Sequence, residues 1–119
     1  MKIAVTAEGP GKKHSVDPRF GRARNFVIYD TVTMEYCSYD NEQNLSAPQG
    51  AGIQSAGTVD GLGCKIVVTG HCGPKAFAVL SKAGIDIFTG ASGTVEEAVQ
   101  SFLNGKLSKL SAADVEGHW

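Results

Sequence analysis

The residues best suited to chemistry in this chain stand together in Gly70-His71-Cys72-Gly73-Pro74. A thiol and an imidazole are adjacent there, and both are ligands for soft or borderline metal ions. The run lies between a β-branched stretch, residues 65–69, and an apolar stretch of helical period, residues 75–83. A loop at a strand-to-helix junction presents unpaired backbone N–H groups and the positive end of a helix dipole. Thiol, imidazole, amides and dipole together suit an anion that contains metal.

A second feature is basic. Five of the eleven Lys and Arg residues (Lys12, Lys13, Arg19, Arg22 and Arg24) fall between positions 12 and 24, opposed only by Asp17. They lie in a Gly- and Pro-bearing loop and not on a helix face, so they read as a solvated loop or as a local anion site. A third feature is Thr89-Gly90-Ala91-Ser92-Gly93-Thr94, a Gly-rich loop that opens another helix. Cys72 has two readings, a small buried hydrophobe or an accessible thiol acidified by the helix start. Its place between glycines favours the second. Cys37 and Cys64 sit in strand patterns and are expected in the core. His14 and His118 lie in a loop and in the tail, and are minor candidates for metal contact.

Catalytic sets are missing. The sequence has no Gly-Lys-Ser/Thr phosphate loop, no Cys-x-x-Cys and no nucleophile elbow. His71 and Cys72 are neighbours in sequence, which seldom gives the geometry of a base and its nucleophile. Scattered acidic residues do not suit a two-metal centre. The residues therefore describe a binder, not an enzyme.

The elements that must position these residues follow from periodicity. Residues 3–6, 25–30, 34–39, 65–69 and 85–88 read as strands. The second and third are joined by Thr31-Val32-Thr33, a hairpin-length link, and should pair antiparallel. Residues 50–61 form a Gly- and Ala-rich helix, weak by propensity. Pro74 suits the first turn of a second helix with an apolar stripe of Ala76, Phe77, Val79, Leu80 and Ala83. Thr94 and Glu97 form a capping box for a third, whose apolar face is Val95, Ala98, Val99, Phe102 and Leu103.

Residues 40–49, with Asn41, Asn44 and Pro48, are polar and turn-like. The later half alternates strand and helix, so its strands should be parallel, with the first strand at the centre and the hairpin to one side. The expectation is a three-layer α/β domain over residues 1–107 with a five-stranded mixed sheet and three helices. Residues 108–119 follow as a tail, with Trp119 against the sheet edge. In such sheets ligands bind beyond the carboxyl ends of the strands. That places residues 7–20, 70–74 and 89–94 in one cradle.

Composition narrows the class. A chain of 119 residues with 42% hydrophobic content is one soluble domain. A net charge of −1 argues against general binding to nucleic acid or membrane surfaces. Three cysteines without regular spacing do not read as a disulfide framework and fit a reducing compartment. Met1-Lys2-Ile3-Ala4-Val5 reads as a strand start and not as a signal peptide, so a cytoplasmic protein is expected.

Four motifs resemble one known family. Ser15-Val16-Asp17-Pro18-Arg19-Phe20-Gly21-Arg22-Ala23 is similar to the segment after the first strand of the dinitrogenase iron–molybdenum cofactor-binding family. Gly50-Ala51-Gly52-Ile53-Gln54 is similar to its first-helix motif, and Thr69-Gly70-His71-Cys72-Gly73-Pro74-Lys75-Ala76-Phe77 to its Thr-Gly-x-x-Gly-Pro-x-Ala-Phe loop. Gly93-Thr94-Val95-Glu96-Glu97-Ala98 resembles its last helix start.

The resemblance implies a ribonuclease-H-like fold without nuclease chemistry and a role as carrier or accessory protein for metal–sulfur cofactors. In size the chain also resembles family members of sulfate-reducing bacteria that hold a molybdenum–copper sulfide cluster non-covalently. The implied cofactor is such a cluster or a related metal–sulfur cluster, with a protein partner for its delivery. Many members carry a plain Gly-rich loop where this chain has His71-Cys72. The expected contacts are Arg19, Phe20, Gly21, Arg22, Gly50, Gly52, Ile53, Gly70, His71, Cys72, Gly73, Pro74 and Gly90, with Cys72 and His71 as metal ligands. Rival expectations are a nucleotide or phosphate-ligand sensor using the same cradle, an accessory role in iron–molybdenum cofactor assembly, and a structural partner docking through the first helix.

Overall fold

The computed structural model describes residues 1–45 and 50–112. The expectations that fall on Pro48, on residues 113–119, on His118 and on Trp119 therefore lie outside the described residues. Six strands form one mixed sheet: β1 (Lys2–Ala7), β2 (Asn25–Asp30), β3 (Tyr36–Asp40), β4 (Ile66–Val68), β5 (Asp86–Thr89) and β6 (Ser108–Lys109). Their order is β3-β2-β1-β4-β5-β6. β1 lies inside the sheet, antiparallel to β2 and parallel to β4. β2 and β3 form the expected antiparallel hairpin, and β4 and β5 are parallel.

The five strands expected are corrected to six. Ser108 and Lys109 pair antiparallel with Thr89 and Phe88, at the edge of β5. Two residues carry no readable period, so only the pairing defines this strand. The third strand also begins later than position 34. Met34 has φ 63°, a left-handed conformation that belongs to the turn.

Alternation along the inner strands builds two cores. Ala4, Phe26, Ile28, Val67 and Ile87 face one side; Ile3, Val5, Val27, Tyr29, Ile66 and Val68 face the other. Helices α1 (Ala51–Gly61) and α2 (Pro74–Lys82) cover the first face through Ala56, Val59, Ala76 and Leu80. Helix α3 (Val95–Leu103) covers the second through Val95, Ala98 and Val99. β4 is buried throughout, as a strand covered on both faces must be.

Phe102 meets Phe88 edge to face at 4.8 Å between ring centres, whereas Leu103, expected on the same apolar face, is exposed. Cys37 is a further correction. β3 is the edge strand of the sheet and Cys37 is exposed on it, while Cys64 is buried as expected. Among the described residues no helix is long and apolar enough to cross a membrane.

Candidate functional site

Because β1, β4 and β5 run parallel and β3 runs with them, each of the three helices begins at the carboxyl end of the sheet. The loops after β1 and β4 meet there. The loop after β1 folds back along its strand, with Asp17 N–H donating to the Thr6 carbonyl at 2.9 Å and Glu8 N–H to that of Ser15 at 3.0 Å. It then joins the loop after β4. His71 N–H donates to the Pro18 carbonyl at 2.7 Å, and Phe20 N–H to the His71 carbonyl at 3.2 Å.

Beneath this junction three residues that are not among the expected contacts hold it in place. The Thr6 and Thr69 hydroxyls are hydrogen-bonded at 2.8 Å, and Thr6 Oγ1 donates to the Asp17 carbonyl at 2.6 Å. All three residues are buried. The Asp17 carboxylate accepts from Arg19 N–H at 3.0 Å and lies 3.6 Å from Arg19 Nε. The guanidinium has five N–H donors, so this pair orients Arg19 without using it up. A polar residue two positions before an arginine in a turn was the readable signal.

The basic cluster divides. Lys12 and Lys13 both pair with Glu96, at 3.4 and 3.1 Å, over α3. These contacts hold the Glu96 carboxyl below its ordinary range, chiefly through the Lys13 hydrogen bond. Arg24 pairs with Glu42 at 3.7 Å. Arg22, exposed at the end of the single 3-10 turn Phe20–Arg22, forms no ion pair among the described residues. That turn packs against α1.

The helix starts also differ from one another. At α3, Val95 N–H donates to the His14 carbonyl at 2.9 Å and Glu96 N–H to that of Lys12 at 3.0 Å. Thr94 and Glu97 complete the expected capping box. The first-turn donors of α3 are thus consumed inside the protein, and Gly90 N–H goes to the Gly70 carbonyl at 3.4 Å. The three-loop cradle narrows accordingly to its first two loops and the start of α1. The N-caps of α1 and α2, Gly50 and Gly73, make no side-chain cap. Among the described residues the N–H groups of Ala51, Gly52, Ile53, Lys75 and Ala76 have no acceptor. Both helices cover the same face of the sheet and start at its carboxyl end, so both present the positive ends of their dipoles there.

His71 is exposed there, but Cys72 is not the accessible thiol expected. It is fully buried in the cluster under α1 and α2, with Sγ 3.7 Å from the Gly73 carbonyl. The cause is alternation. His71 bridges Arg19 in a short parallel pairing, and in extended chain the next side chain points the opposite way. Phe20 is likewise fully buried and packs on Phe26 at 5.7 Å between ring centres, with Gly21 buried beside it. Pro74 is exposed and Ile53 partly exposed. Among the described residues no group of three or more His, Cys, Asp or Glu side chains could hold a metal ion. Open amides, the Arg19 and Arg22 guanidinium groups and one imidazole thus lie at this end of the sheet, donors whose chemistry suits an anion.

Comparison with known proteins agrees with the four motifs. Residues 1–105 match the family described as dinitrogenase iron-molybdenum cofactor. An uncharacterized protein of Methanocaldococcus jannaschii is 30% identical over 112 residues, 92% of each chain. The apo form of the orange protein from Desulfovibrio gigas is 43% identical, with a TM-score of 0.91 over 96% of both chains. A Thermotoga protein solved by NMR and provisionally assigned as NifB is 28% identical, with a TM-score of 0.84 over 98% of both chains.

Proposed function

The chain belongs to the dinitrogenase iron–molybdenum cofactor family, and on that premise we propose that it is a non-catalytic binding and carrier protein for an anionic metal–sulfur cluster of molybdenum with copper. The observation that carries this reading is the pair of open helix starts, α1 and α2, on one face beside Arg19 and Arg22. The similarity to the orange protein of Desulfovibrio gigas supports this reading.

Magnitudes favour a multiply charged ligand. A helix start is worth about 0.3–1 kcal/mol to an anion at the surface, and an exposed ion pair about 0.2–1 kcal/mol. Two of each give a few kcal/mol for a single charge, too little for tight binding. A thiomolybdate-type cluster carries several charges spread over sulfide edges and engages all of these groups at once. Its weakly hydrated faces would rest on Ile53 and Pro74. Exposed His71 sets an imidazole at the edge of the site, a ligand type that suits copper. Cys72, buried, supports the loop from below, so the cluster is held without a covalent anchor to it. In this reading the protein works in the reducing cytoplasm and passes the cluster to a recipient protein.

The test mixes apo-protein with tetrathiomolybdate and a copper salt, removes excess by gel filtration, and records the visible spectrum and metal content. A coloured fraction with stoichiometric molybdenum and copper is expected. Arg22→Ala should lose most of the metal, and Cys72→Ser should keep it. A colourless, metal-free wild-type fraction overturns the reading in favour of an iron–sulfur precursor or a phosphate-type ligand. Uptake that ignores Arg22 sinks the site assignment.

A further inference from the structure

Asn41 is a polar side chain with no exposed surface, placed just after β3. Its Nδ2 donates to the Ala23 carbonyl at 2.8 Å and to Ser55 Oγ at 2.9 Å. Its Oδ1 accepts from Asn44 Nδ2 at 2.7 Å, and Asn44 Nδ2 also reaches Thr58 Oγ1 at 2.9 Å. Thr58 Oγ1 in turn donates to the Gln54 carbonyl at 3.1 Å. The Asn41 backbone N–H donates to the Arg24 carbonyl at 2.8 Å. Both amide protons and the amide oxygen are therefore used.

The partners of this one side chain lie on the two walls of the site. Ala23 follows Arg22 directly, at the end of the 3-10 turn. Ser55 lies in α1, just beyond the open amides of Ala51, Gly52 and Ile53. A buried amide costs stability unless every group is paired. An apolar residue would fill the space but would not fix a distance. We infer that Asn41 is a positioning residue: it holds the Arg22 turn and the first turns of α1 at a set separation, so that guanidinium and amides address the same anion. This inference rests on the cluster-binding reading for its ligand, but the clamp itself can be tested without one.

Two variants of the full chain are compared with wild type, Asn41→Ala and Ser55→Ala. Ser55→Ala removes only the direct bond from Asn41 to α1, leaving the path through Asn44 and Thr58, and suits helix propensity, so it tests the inference even where Asn41→Ala folds poorly. Hydrogen exchange is followed on the apo-protein by mass spectrometry. Faster exchange by about tenfold, or 1.4 kcal/mol, is expected in peptides covering residues 20–24 and 51–58, with α3 unchanged. Samples loaded with tetrathiomolybdate and copper should release the cluster about tenfold faster into a chelator and show a shifted visible band.

A uniform rise in exchange, or none, overturns the clamp. Localised loosening with wild-type release and an unmoved band overturns the positioning role while the cluster reading stands. If wild type takes up no cluster, the cluster reading fails. The exchange pattern then decides the clamp alone, localised loosening supporting it and uniform or absent change overturning it.

Discussion

Gly70→Ala adds one methyl group at the point where the two loops of the site are joined. A Cβ there would stand 2.7 Å from Pro18 Cα, 2.8 Å from the Pro18 carbonyl oxygen and 2.9 Å from Pro18 Cβ. All three neighbours belong to backbone or to a rigid ring, so none can swing aside. Ordinary carbon contacts need about 3.5–4.0 Å, so the strands of the junction must part by about 1 Å. The 2.7 Å bond from His71 N–H to the Pro18 carbonyl does not survive that shift.

Overpacking of this kind costs about 1–3 kcal/mol, and a lost backbone bond about 1 kcal/mol more. A more restricted unfolded chain returns about 0.4–1 kcal/mol. The net loss is about 2–3 kcal/mol, a fall of about 10 °C in Tm for a domain of this size. Urea unfolding measures it. Gly57→Ala is the control, because Gly57 is exposed in α1 and a Cβ there meets nothing within 4 Å. That variant should gain about 0.5–1 kcal/mol. The same methyl group thus has opposite signs at two glycines. A Gly70→Ala protein as stable as wild type would refute the close approach of the loops.

Three further outcomes follow from burial and capping. In the native protein a bulky thiol reagent should label Cys37 quickly and leave Cys64 and Cys72 slow, with all three reacting after unfolding; Cys37→Ser should abolish the fast phase. Burial pushes the Cys64 thiol from 9.0 up to about 11. The unfolded chain therefore releases this proton first, and the stabilisation present below pH 9.0 declines toward pH 11 by about 1.4 kcal/mol per pH unit. Urea unfolding of wild type and Cys64→Ala across that window should show the extra loss in wild type alone. Thr94→Ala removes the hydroxyl that accepts from Glu97 N–H at 3.2 Å, leaves the 2.9 Å bond from Thr94 N–H to the Glu97 carboxylate, and should cost about 1 kcal/mol while leaving metal uptake unchanged, since the start of α3 is closed.

Much of the fold was legible because one physical signal dominated each element. β2 coincides with its β-branched run, and α3 with its capping box. The parallel order follows from strand–helix alternation alone. What was not legible depends on partners distant in sequence. Ser108 and Lys109 become a strand only because the edge of β5 is free to pair. Cys37 reads as a core residue in isolation, and it is exposed on β3, an edge strand of the sheet.

The site shows the same division, and its misreadings carry information. Glycines around Cys72 announced an open loop, yet Gly70 serves the contact with Pro18, and that contact sets the alternation that turns His71 outward and Cys72 inward. Three loops, residues 7–20, 70–74 and 89–94, were expected to act together, the last two at helix starts. The strongest sequence signal among them, the Thr94–Glu97 box, marks the one that is closed. A capping box is a helix start already satisfied by its own side chains, and therefore a poor ligand site. The weak, Gly-flanked starts of α1 and α2 leave their amides without acceptors among the described residues. A helix start without a side-chain cap forgoes stability that a cap would recover, and Gly50 and Gly73 stand where such caps would go. In the proposed reading an anion is the acceptor for these amides. Ligand binding should therefore stabilise α1 and α2 against exchange far more than α3. A ligand that protected α3 instead would place the site on the other face of the sheet and refute the assignment.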